Sequence, residues 1–580
     1  MAGFVESLTI LRRLGVPYFR SEDRLPACVL LALVIGVQIA VVGMTVVLNR
    51  WYNGFYGSLQ DRNWNIFTQQ VIRFCLIAAA ITLLSVYQLY LNQWFEIRWR
   101  RWMTKSFVGQ WLSGATHYHV QLFSDPADNP DQRIAEDIKL FIEQTLTIGV
   151  GLLGALMSVL SFLVILWQLS NAAPLHVFGT TYAIPGYLLW AALTYAIAGT
   201  AITHLIGRPL TTLNFDQQRY EADFRFNLVR VRENSEQIAL LRGEALENDR
   251  LLTRFEKVAA NWYAIMSRQK WLTLFTSGYT QFSIIFPIVV VSPAYFAGAM
   301  QLGGLVQTAA AFATVQTALS FFVSIYPTFA QWRAVVARLD GFERAMSAKR
   351  AEAGSSGVTV IAHPTDEELS IEGFSVELPT GMPLMASDDL VIKAGQSALI
   401  TGPSGAGKST FFRAVAGVWP FGVGRVTIPQ GSKLMVLPQR PYFPIATLEE
   451  AVSYPAVRGT FDSARVAEVL KTVGLPALAG RLSEEAHWSQ ILSLGEQQRL
   501  SIARAILHAP HYLFLDEATA SLDEPSEKQL YKLLQERIPE VAIISIGHRS
   551  TLEAFHDHRW TLHPGGGSHH IRVAAPVTRG

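Results

Sequence analysis

Six long runs of apolar residues occupy much of the first 330 positions of the chain. They lie near residues 27–48, 71–95, 147–169, 182–206, 273–298 and 303–330. A helix of about 20 residues crosses a hydrocarbon core of about 30 Å, so each run is long enough to span a membrane. Buried helices of a soluble core are the alternative, but the first run contains no charged residue. The pattern therefore predicts an α-helical domain with six transmembrane helices.

A shorter amphipathic segment precedes the first run. Phe4, Leu8 and Leu11 recur at helical spacing beside Arg12 and Arg13, which favours an interfacial helix on the cytoplasmic face over an ordinary surface helix. The first apolar run is too long, and starts too late, for a cleavable signal peptide. We expect it to remain as a membrane anchor.

The distribution of basic residues predicts the orientation. Basic residues follow the second and fourth runs, at Arg98, Arg100, Arg101 and Lys105, and at Arg208, Arg219, Arg225, Arg230 and Arg232. The connections 170–181 and 299–302 contain no lysine or arginine. Because basic loops stay inside, we expect cytoplasmic termini and two long cytoplasmic connections. Their tips, near residues 125–132 and 242–248, are expected to act on a cytoplasmic domain.

The polar residues inside the runs are mostly uncharged: Gln38, Gln88, Asn92, Gln281, Gln307 and Gln316. Such groups are costly in a membrane unless paired, so they mark either a wet cavity or bonds between helices. Both alternatives stay open at this point. The scarcity of carboxylates argues against a proton relay as the energy source.

Composition supports the membrane assignment. Of the 580 residues, 50% are hydrophobic and 16% are charged, whereas soluble domains carry about 25% charged residues. The net charge of +2 gives no reason to expect a nucleic-acid partner. Cys28 and Cys75 lie in apolar stretches and form neither a metal-ligand spacing nor a disulfide framework.

The amino-acid composition changes after Arg344. We expect an interfacial elbow helix at 1–26, the six-helix domain at 27–340, a linker rich in small and charged residues at 341–366, and a soluble α/β domain at 367–580. In that domain an apolar strand near 390–401 leads into a glycine-rich loop and then a helix. The loop residues are Gly402, Pro403, Ser404, Gly405, Ala406, Gly407, Lys408, Ser409 and Thr410.

This loop has the spacing of a P-loop for ATP. Its glycines let backbone N–H groups approach phosphates, Lys408 reaches the β and γ phosphates, and Ser409 ligates Mg²⁺. A second apolar strand ends in Asp516 and Glu517. Asp516 suits the magnesium site, and Glu517 suits a general base that activates or positions the attacking water.

Further motifs follow in a fixed order. They are Gln439, the segment Leu492-Ser493-Leu494-Gly495-Glu496, the segment Ser521-Leu522-Asp523, and His548 after an apolar strand. Together with the P-loop they resemble the ATPase domain of ABC transporters. The resemblance implies that Ser493 and Gly495 contact the γ phosphate across a dimer, that Asp523 belongs to the nucleotide site, that Gln439 senses magnesium and water, and that His548 holds the γ phosphate. With one P-loop in the chain, it implies a second copy of the chain as partner.

Two positions depart from the family pattern. Leu494 and Glu496 stand where the commonest signature has Gly and Gln, so we expect hydrolysis to be retained but slowed or retuned. The aromatic residue that usually stacks on adenine is not evident in 374–379, which begins with Phe374. Adenine recognition is therefore unassigned.

Finer motifs narrow the resemblance. The sequences at 129–134, 232–239, 417–420 and 437–442 resemble subfamily D transporters of peroxisomes and their bacterial relatives, and 94–104 resembles the BacA and SbmA peptide transporters. This implies an exporter-like type IV ABC fold in a bacterial inner membrane, surrounded by lipid. It also implies import of peptides, including antimicrobial peptides, or of bulky hydrophilic solutes such as cobalamin.

Three alternatives remain beside import. An exporter of the same fold would carry the same ATPase motifs. A fatty acyl-CoA or lipid transporter would match the peroxisomal relatives. An ATP-regulated channel or signalling protein is disfavoured, because a module that only binds ATP does not need both Glu517 and His548.

Overall fold

The computed structural model describes residues 2–123, 129–172, 175–177, 180–182, 184–352, 357–363, 368–565 and 568–573. The chain divides into two compact units. The first comprises Met1–Val108 and Asn129–Phe342, and the second comprises Gly109–Asp128 and Glu343–Gly580.

Six helices are long and apolar enough to cross a membrane: Arg24–Gln60, Trp64–Leu122, Pro130–Asn171, Tyr187–Glu233, Glu244–Phe296 and Leu302–Ser347. Each overlaps a different predicted run, which confirms six candidate membrane helices. The second is interrupted at Gly114, whose backbone has φ 56°, between the helices Trp64–Leu112 and Thr116–Phe123. One further break separates Leu302–Ser324 from Tyr326–Glu352, whereas the π-helical turn Arg133–Asp137 continues directly into the helix Ile138–Ala172.

The predicted start of the fourth run, near residue 182, is wrong. A short antiparallel hairpin of Leu175–Val177 and Thr180–Tyr182 occupies this place, and the helix begins at Tyr187 after Gly186 with φ 69°. The β-branched and aromatic residues in the hairpin favour a strand over a helix. The helix then runs for 47 residues, or about 70 Å, more than twice the thickness of a hydrocarbon core.

Several intramembrane polar residues bond to each other. Asn49 Nδ2 donates to the Gln307 carbonyl oxygen at 3.0 Å, and Gln307 Nε2 donates to Asn49 Oδ1 at 3.2 Å. Gln88 Nε2 donates to Gln38 Oε1, and Gln316 bonds to Tyr279. For these residues the structure decides in favour of bonds between helices, because satisfied amides do not need a wet cavity.

A buried carboxylate joins two helices of the first unit. Asp137 is 1% exposed. Arg338 donates to it twice, from Nη2 to Oδ1 at 2.6 Å and from Nε to Oδ2 at 2.9 Å, and Arg133 Nη1 adds a bond of 2.9 Å. A buried charge is tolerated when such bonds satisfy its oxygens. Arg133, from the motif at 129–134, therefore has a structural role.

Much of the stretch 341–366, which we expect to be a linker, is helix and strand. Tyr326–Glu352 carries the last helix into it, and Val358–His363 forms a strand parallel to Gly422–Pro429. The Ala, Glu, Lys and Arg residues that suggested a linker are also strong helix formers. The positions 353–356 and 364–367 lie outside the described residues.

The second unit is built on an eleven-stranded sheet. Five parallel strands form its centre in the order His558–Gly565, Ser397–Thr401, Ala542–Ile546, Tyr512–Asp516 and Leu434–Leu437. The flanking strands are Ser568–Val573, Pro383–Ser387, Leu369–Glu377, Leu390–Ile392, Gly422–Pro429 and Val358–His363. The strands Ala446–Thr447 and Glu485–Ala486 form a separate hairpin.

Three of the central strands, Ser397–Thr401, Tyr512–Asp516 and Ala542–Ile546, are almost entirely buried, as is typical of parallel strands with helices on both faces. The helices that lie between the strands of this unit in the sequence are Lys408–Val415, Leu448–Ser453, Ser463–Thr472, Trp488–Ile491, Leu494–His508 and Glu524–Arg537. Leu513 and Leu515 enter one hydrophobic core, whereas Tyr512 and Phe514 enter the other. The alternation follows from the two-residue period of a strand.

The segment that follows the second membrane helix belongs to the second unit and packs within it. Tyr118 and Leu122 contact one of its cores, and His119 Nε2 lies 3.1 Å from the Val418 carbonyl oxygen. The apolar positions of the helix Thr116–Phe123 face this core. The expected action of the tip near 125–132 on a cytoplasmic domain stays a prediction, and 125–128 lie outside the described residues.

His556 links the stability of the second unit to pH. Its ring nitrogens lie 2.7 Å from the Leu552 carbonyl oxygen and 2.8 Å from Ser545 Oγ. Burial lowers the pKa of His556 from 6.5 to about 4. Between these values the unfolded chain binds a proton that the folded chain does not, so stability is lost as the pH falls from 6.5 to 4, by up to about 3 kcal/mol.

We therefore expect His556→Gln to flatten the pH dependence of unfolding. The thermal midpoint of the full-length protein in detergent should fall more steeply in the wild type than in the variant across this range. The variant should also be less stable at neutral pH, because it loses a buried hydrogen bond. Parallel midpoint curves for the two proteins would contradict this role of His556.

Candidate functional site

The glycine-rich loop is shaped by residues that cannot carry side chains. It leaves the buried strand Ser397–Thr401 and enters the helix Lys408–Val415. Gly402, Gly405 and Gly407 have φ of 156°, 79° and 93°. A Cβ on Gly407 would lie 2.9 Å from Leu384 Cγ. Backbone angles and space therefore both require glycine here, which leaves the loop backbone open to a ligand.

The side chain of Lys408 bonds back to this loop. Its Nζ donates to the carbonyl oxygens of Gly402 and Pro403, both at 2.8 Å. Burial lowers the pKa of the ammonium group, whereas the nearby carboxylates of Glu517 and Asp516 oppose the shift. The loop thus holds a positive charge beside a helix N-terminus, an arrangement that favours phosphate.

Asp516 lies opposite the loop at the end of the strand Tyr512–Asp516. Ser409 Oγ donates to Asp516 Oδ1 at 2.8 Å. Burial raises the pKa of this carboxyl group, and the bond from Ser409 lowers it. The pair offers two hard oxygen ligands. Among the described residues no group of three or more His, Cys, Asp or Glu side chains could hold a metal alone, which fits Mg²⁺ completed by phosphate and water oxygens.

Two other predicted site residues contact the carboxylate of Glu517. Gln439 Nε2 donates to Glu517 Oε2 at 3.0 Å, and His548 Nε2 lies 3.3 Å from Glu517 Oε1. Glu517 itself has φ 50°, which is uncommon for a residue other than glycine and is typical of functional positions. Three residues distant in sequence therefore meet beside the loop.

Gln498 is a site residue that the sequence motifs did not single out. It is fully buried. Its Nε2 donates to the Gln439 carbonyl oxygen at 3.4 Å, and its Oε1 accepts from Ser521 N at 3.0 Å. Gln498 therefore ties the Gln439 segment to the segment that contains Asp523. The one signal that could have identified Gln498 was its polar side chain on the buried face of the helix Leu494–His508.

Arg549 was also missed, although it follows His548 directly. Its guanidinium donates to the carbonyl oxygens of Leu522 at 2.8 Å and Ala520 at 3.2 Å. It also pairs with buried Glu527 at 3.3 Å. Arg549 belongs to no motif that the sequence shows. Only the fold reveals that it links the segment of His548 to the segment that contains Asp523.

The signature segment forms a helix cap. Ser493 precedes the helix Leu494–His508, Glu496 N donates to Ser493 Oγ, and Ser493 N donates to Glu496 Oε2 at 2.9 Å. Glu and Gln serve equally in such a capping box, so Glu496 keeps the structural role of the commoner Gln. Ser493 Oγ also donates to the Glu496 carboxylate at 2.7 Å.

Ser493 and Gly495 are not joined to the glycine-rich loop by any contact that the structure describes. A Cβ on Gly495 would instead meet Leu522 Cδ2 at 3.3 Å. Asp523 occupies the N-cap position of the helix Glu524–Arg537, and a bond from Ser526 lowers the pKa of its carboxyl group. Phe374 is buried against Phe411, with ring centroids 5.2 Å apart, so it is not available to stack on adenine.

Family models match both units. Residues 14–296 match the ABC transporter transmembrane region 2, and residues 386–520 match the ABC transporter ATPase family. The order of the two matches reproduces the predicted fusion of a membrane region and an ATPase domain.

Curated relatives match over nearly the whole chain. The inner membrane ABC transporter ATP-binding protein YddA of Escherichia coli is 31% identical, over 92% of this chain and 93% of YddA. The lysosomal cobalamin transporter ABCD4 of Mus musculus is 27% identical, over 97% and 95%. These relatives confirm the resemblance to subfamily D.

A solved structure confirms the fold class. A bacterial Atm1-family ABC exporter with ATP bound superposes with a TM-score of 0.73 at 18% identity, covering 92% of this chain and 94% of the exporter. At this identity the likeness shows the fold alone. Family models, relatives and fold agree that the chain belongs to the ABC transporter family, as a half-transporter whose ATPase activity is coupled to transport.

Proposed function

We propose that two copies of the chain form an importer that uses ATP to move peptides, including antimicrobial peptides, or bulky hydrophilic solutes such as cobalamin across a bacterial inner membrane. The meeting of Gln439, Glu517 and His548 carries the hydrolytic part of this proposal. The names of the relatives support the cargo class and the membrane: one is a cobalamin transporter and another an inner membrane protein. We assign the ATPase domain and both termini to the cytoplasm, following the basic connections.

The loop residues bind and orient ATP. Backbone N–H groups from Gly402 to Thr410 and the Lys408 ammonium group hold the phosphates. Ser409 and Asp516, with Gln439 near them, would hold Mg²⁺, which when bound neutralises charge on the β and γ phosphates. The 2.8 Å contact between Ser409 and Asp516 supports this pairing.

Glu517 acts as the general base. It takes a proton from the water whose oxygen forms a bond to the γ phosphorus, while the bond between that phosphorus and the bridging oxygen breaks and ADP leaves. Gln439 and His548 each lie against one oxygen of the carboxylate and fix its orientation. His548 is also placed to hold the γ phosphate.

A second copy completes the site. Ser493 and Gly495 present a capped helix N-terminus, which favours an anion, and they supply the γ phosphate contacts across the dimer. Arg549 and Gln498 connect Glu517 and its neighbours to the segment of Asp523. Binding of ATP therefore favours the closed dimer, and hydrolysis releases it, which shifts the equilibrium between cavity orientations.

Export is the second candidate. The solved structure with the same fold is an exporter, and the ATPase residues are the same for both directions. The two candidates differ in the side from which cargo leaves.

Replacement of Glu517 tests the base. Glu517→Gln keeps a similar shape but cannot accept the proton, so steady ATP hydrolysis should fall by at least about 100-fold while ATP binding is retained. Glu524→Gln is the matched control, because Glu524 is exposed in the next helix and its loss should leave turnover unchanged. Normal turnover in Glu517→Gln would remove Glu517 from the role of base.

Glu496 tests the effect of the unusual signature. Glu496→Gln keeps the cap on the backbone of Ser493 but removes a negative charge beside the hydroxyl group that faces phosphate. We expect the KM for ATP to fall roughly threefold to tenfold, about 1 kcal/mol of removed repulsion. Glu496→Ala, which loses the cap, should instead raise the KM. An unchanged or higher KM in Glu496→Gln contradicts this explanation.

The direction is measured in proteoliposomes whose ATPase domains face outward. The lumen holds one labelled pool of peptides, cobalamin and acyl-CoA, a second label marks the outer pool, and ATP is added outside. If the protein is an importer, the wild type should lose luminal peptide or cobalamin, and Glu517→Gln should not. Accumulation from the outer pool would establish export, and movement of acyl-CoA alone would replace the hydrophilic cargo.

A further inference from the structure

A basic cleft lies along the N-terminal segment of the first unit. Arg12, Arg13 and Arg20 line a cleft of about 550 Å³, and Val16 and Pro17 form its apolar wall. The residues belong to the helix Ala2–Gly15 and to the turn Tyr18–Arg20 that follows it. Spacings of three and four residues place them on one face.

The opposite face fixes the segment in place. Leu14 and Tyr18 are buried, and the Tyr18 ring stacks on Trp99 with centroids 5.6 Å apart and an angle of 6° between the planes. Gly15 packs closely on the same ring, since a Cβ there would lie 3.4 Å from Trp99. The arginines are therefore carried on a rigid support and point away from it.

The positive charge of the cleft is largely uncompensated. Within the part of the chain that the structure describes, the side chains of Arg12 and Arg20 form no ion pair, whereas Arg13 pairs with Asp340. Among the described side chains that line the cleft, none is acidic. Asp23, which follows shortly in the sequence, is engaged by Arg98 at 2.7 Å. An anion would thus meet two free guanidinium groups, which bind phosphate well.

The position of the cleft indicates where the anion comes from. The first membrane helix begins at Arg24, only four residues after Arg20. Tyr18, Trp99 and Trp102 lie together here, as aromatic residues do at membrane interfaces. A free phosphate ion needs no apolar wall, but a lipid presents glycerol and acyl groups directly beside its phosphate. Basic clusters next to a membrane helix attract anionic lipids.

We propose that this cleft binds the headgroup of an anionic phospholipid. Arg12 and Arg20 hold the phosphate, and Val16 and Pro17 contact the glycerol region. Arg13 lies between the headgroup and Asp340, which belongs to the helix Tyr326–Glu352. A bound headgroup competes with Asp340 for Arg13 and so connects the lipid to the last membrane helix.

The test counts phosphatidylglycerol bound to the purified full-length protein by native mass spectrometry, against phosphatidylcholine as competitor. In Arg12→Gln/Arg20→Gln the affinity should fall about twentyfold to thirtyfold, since each arginine near a membrane contributes about fivefold. Arg219→Gln/Arg225→Gln is the matched control. It removes the same charge from exposed positions far along the helix Tyr187–Glu233, and should change the affinity less than about twofold.

Equal losses in both double variants, or no loss in either, would overturn the proposal. Displacement of the lipid by inorganic phosphate at equal concentration would identify a free phosphate site instead. A photoactivatable phosphatidylglycerol tests the wild type without any substitution, in case the variant does not fold. The crosslink should appear in the tryptic peptide 14–20, and labelling only elsewhere would refute the site.

Discussion

The parallel order of three neighbouring strands is the constraint on which the site depends. Tyr512–Asp516 lies between Leu434–Leu437 and Ala542–Ile546. Gln439, Glu517 and His548 each follow the carboxyl end of one of these strands, so all three reach the same edge of the sheet. The glycine-rich loop leaves Ser397–Thr401 beside them. In the proposed function, this strand order assembles the groups that bind phosphate, magnesium and water.

Secondary contacts hold this edge in a single arrangement. Gln498 is buried and bonds to the segments of Gln439 and Ser521, and Arg549 bonds to Leu522 in the second of these segments. Such fully satisfied polar groups rigidify their surroundings. Glu517 lies at this edge with φ 50°, a conformation that persists only when the surrounding structure enforces it. In the proposed function, hydrolysis and the response to a second copy depend on the same bonds.

The membrane unit relies on different interactions. Apolar side chains gain little from packing on each other in lipid, so polar pairs provide much of the specificity between helices. The reciprocal bonds of Asn49 and Gln307 and the buried Asp137 with Arg338 join helices distant in sequence. These contacts show that several of the polar positions serve the assembly of the helices.

The sequence by itself determined the six membrane helices, the glycine-rich loop and the pair Asp516–Glu517, because length, apolar pattern and local spacing are contained in short segments. Tertiary structure alone decided the roles of Gln498 and Arg549, whose partners lie more than 20 residues away. Helix and strand occupy much of the expected linker, and a contact with the Val418 carbonyl oxygen holds His119 within the second unit. The physical reason is the same throughout. Local sequence preference limits which helices, strands and site residues are possible, but long-range hydrogen bonds and burial decide which of them form.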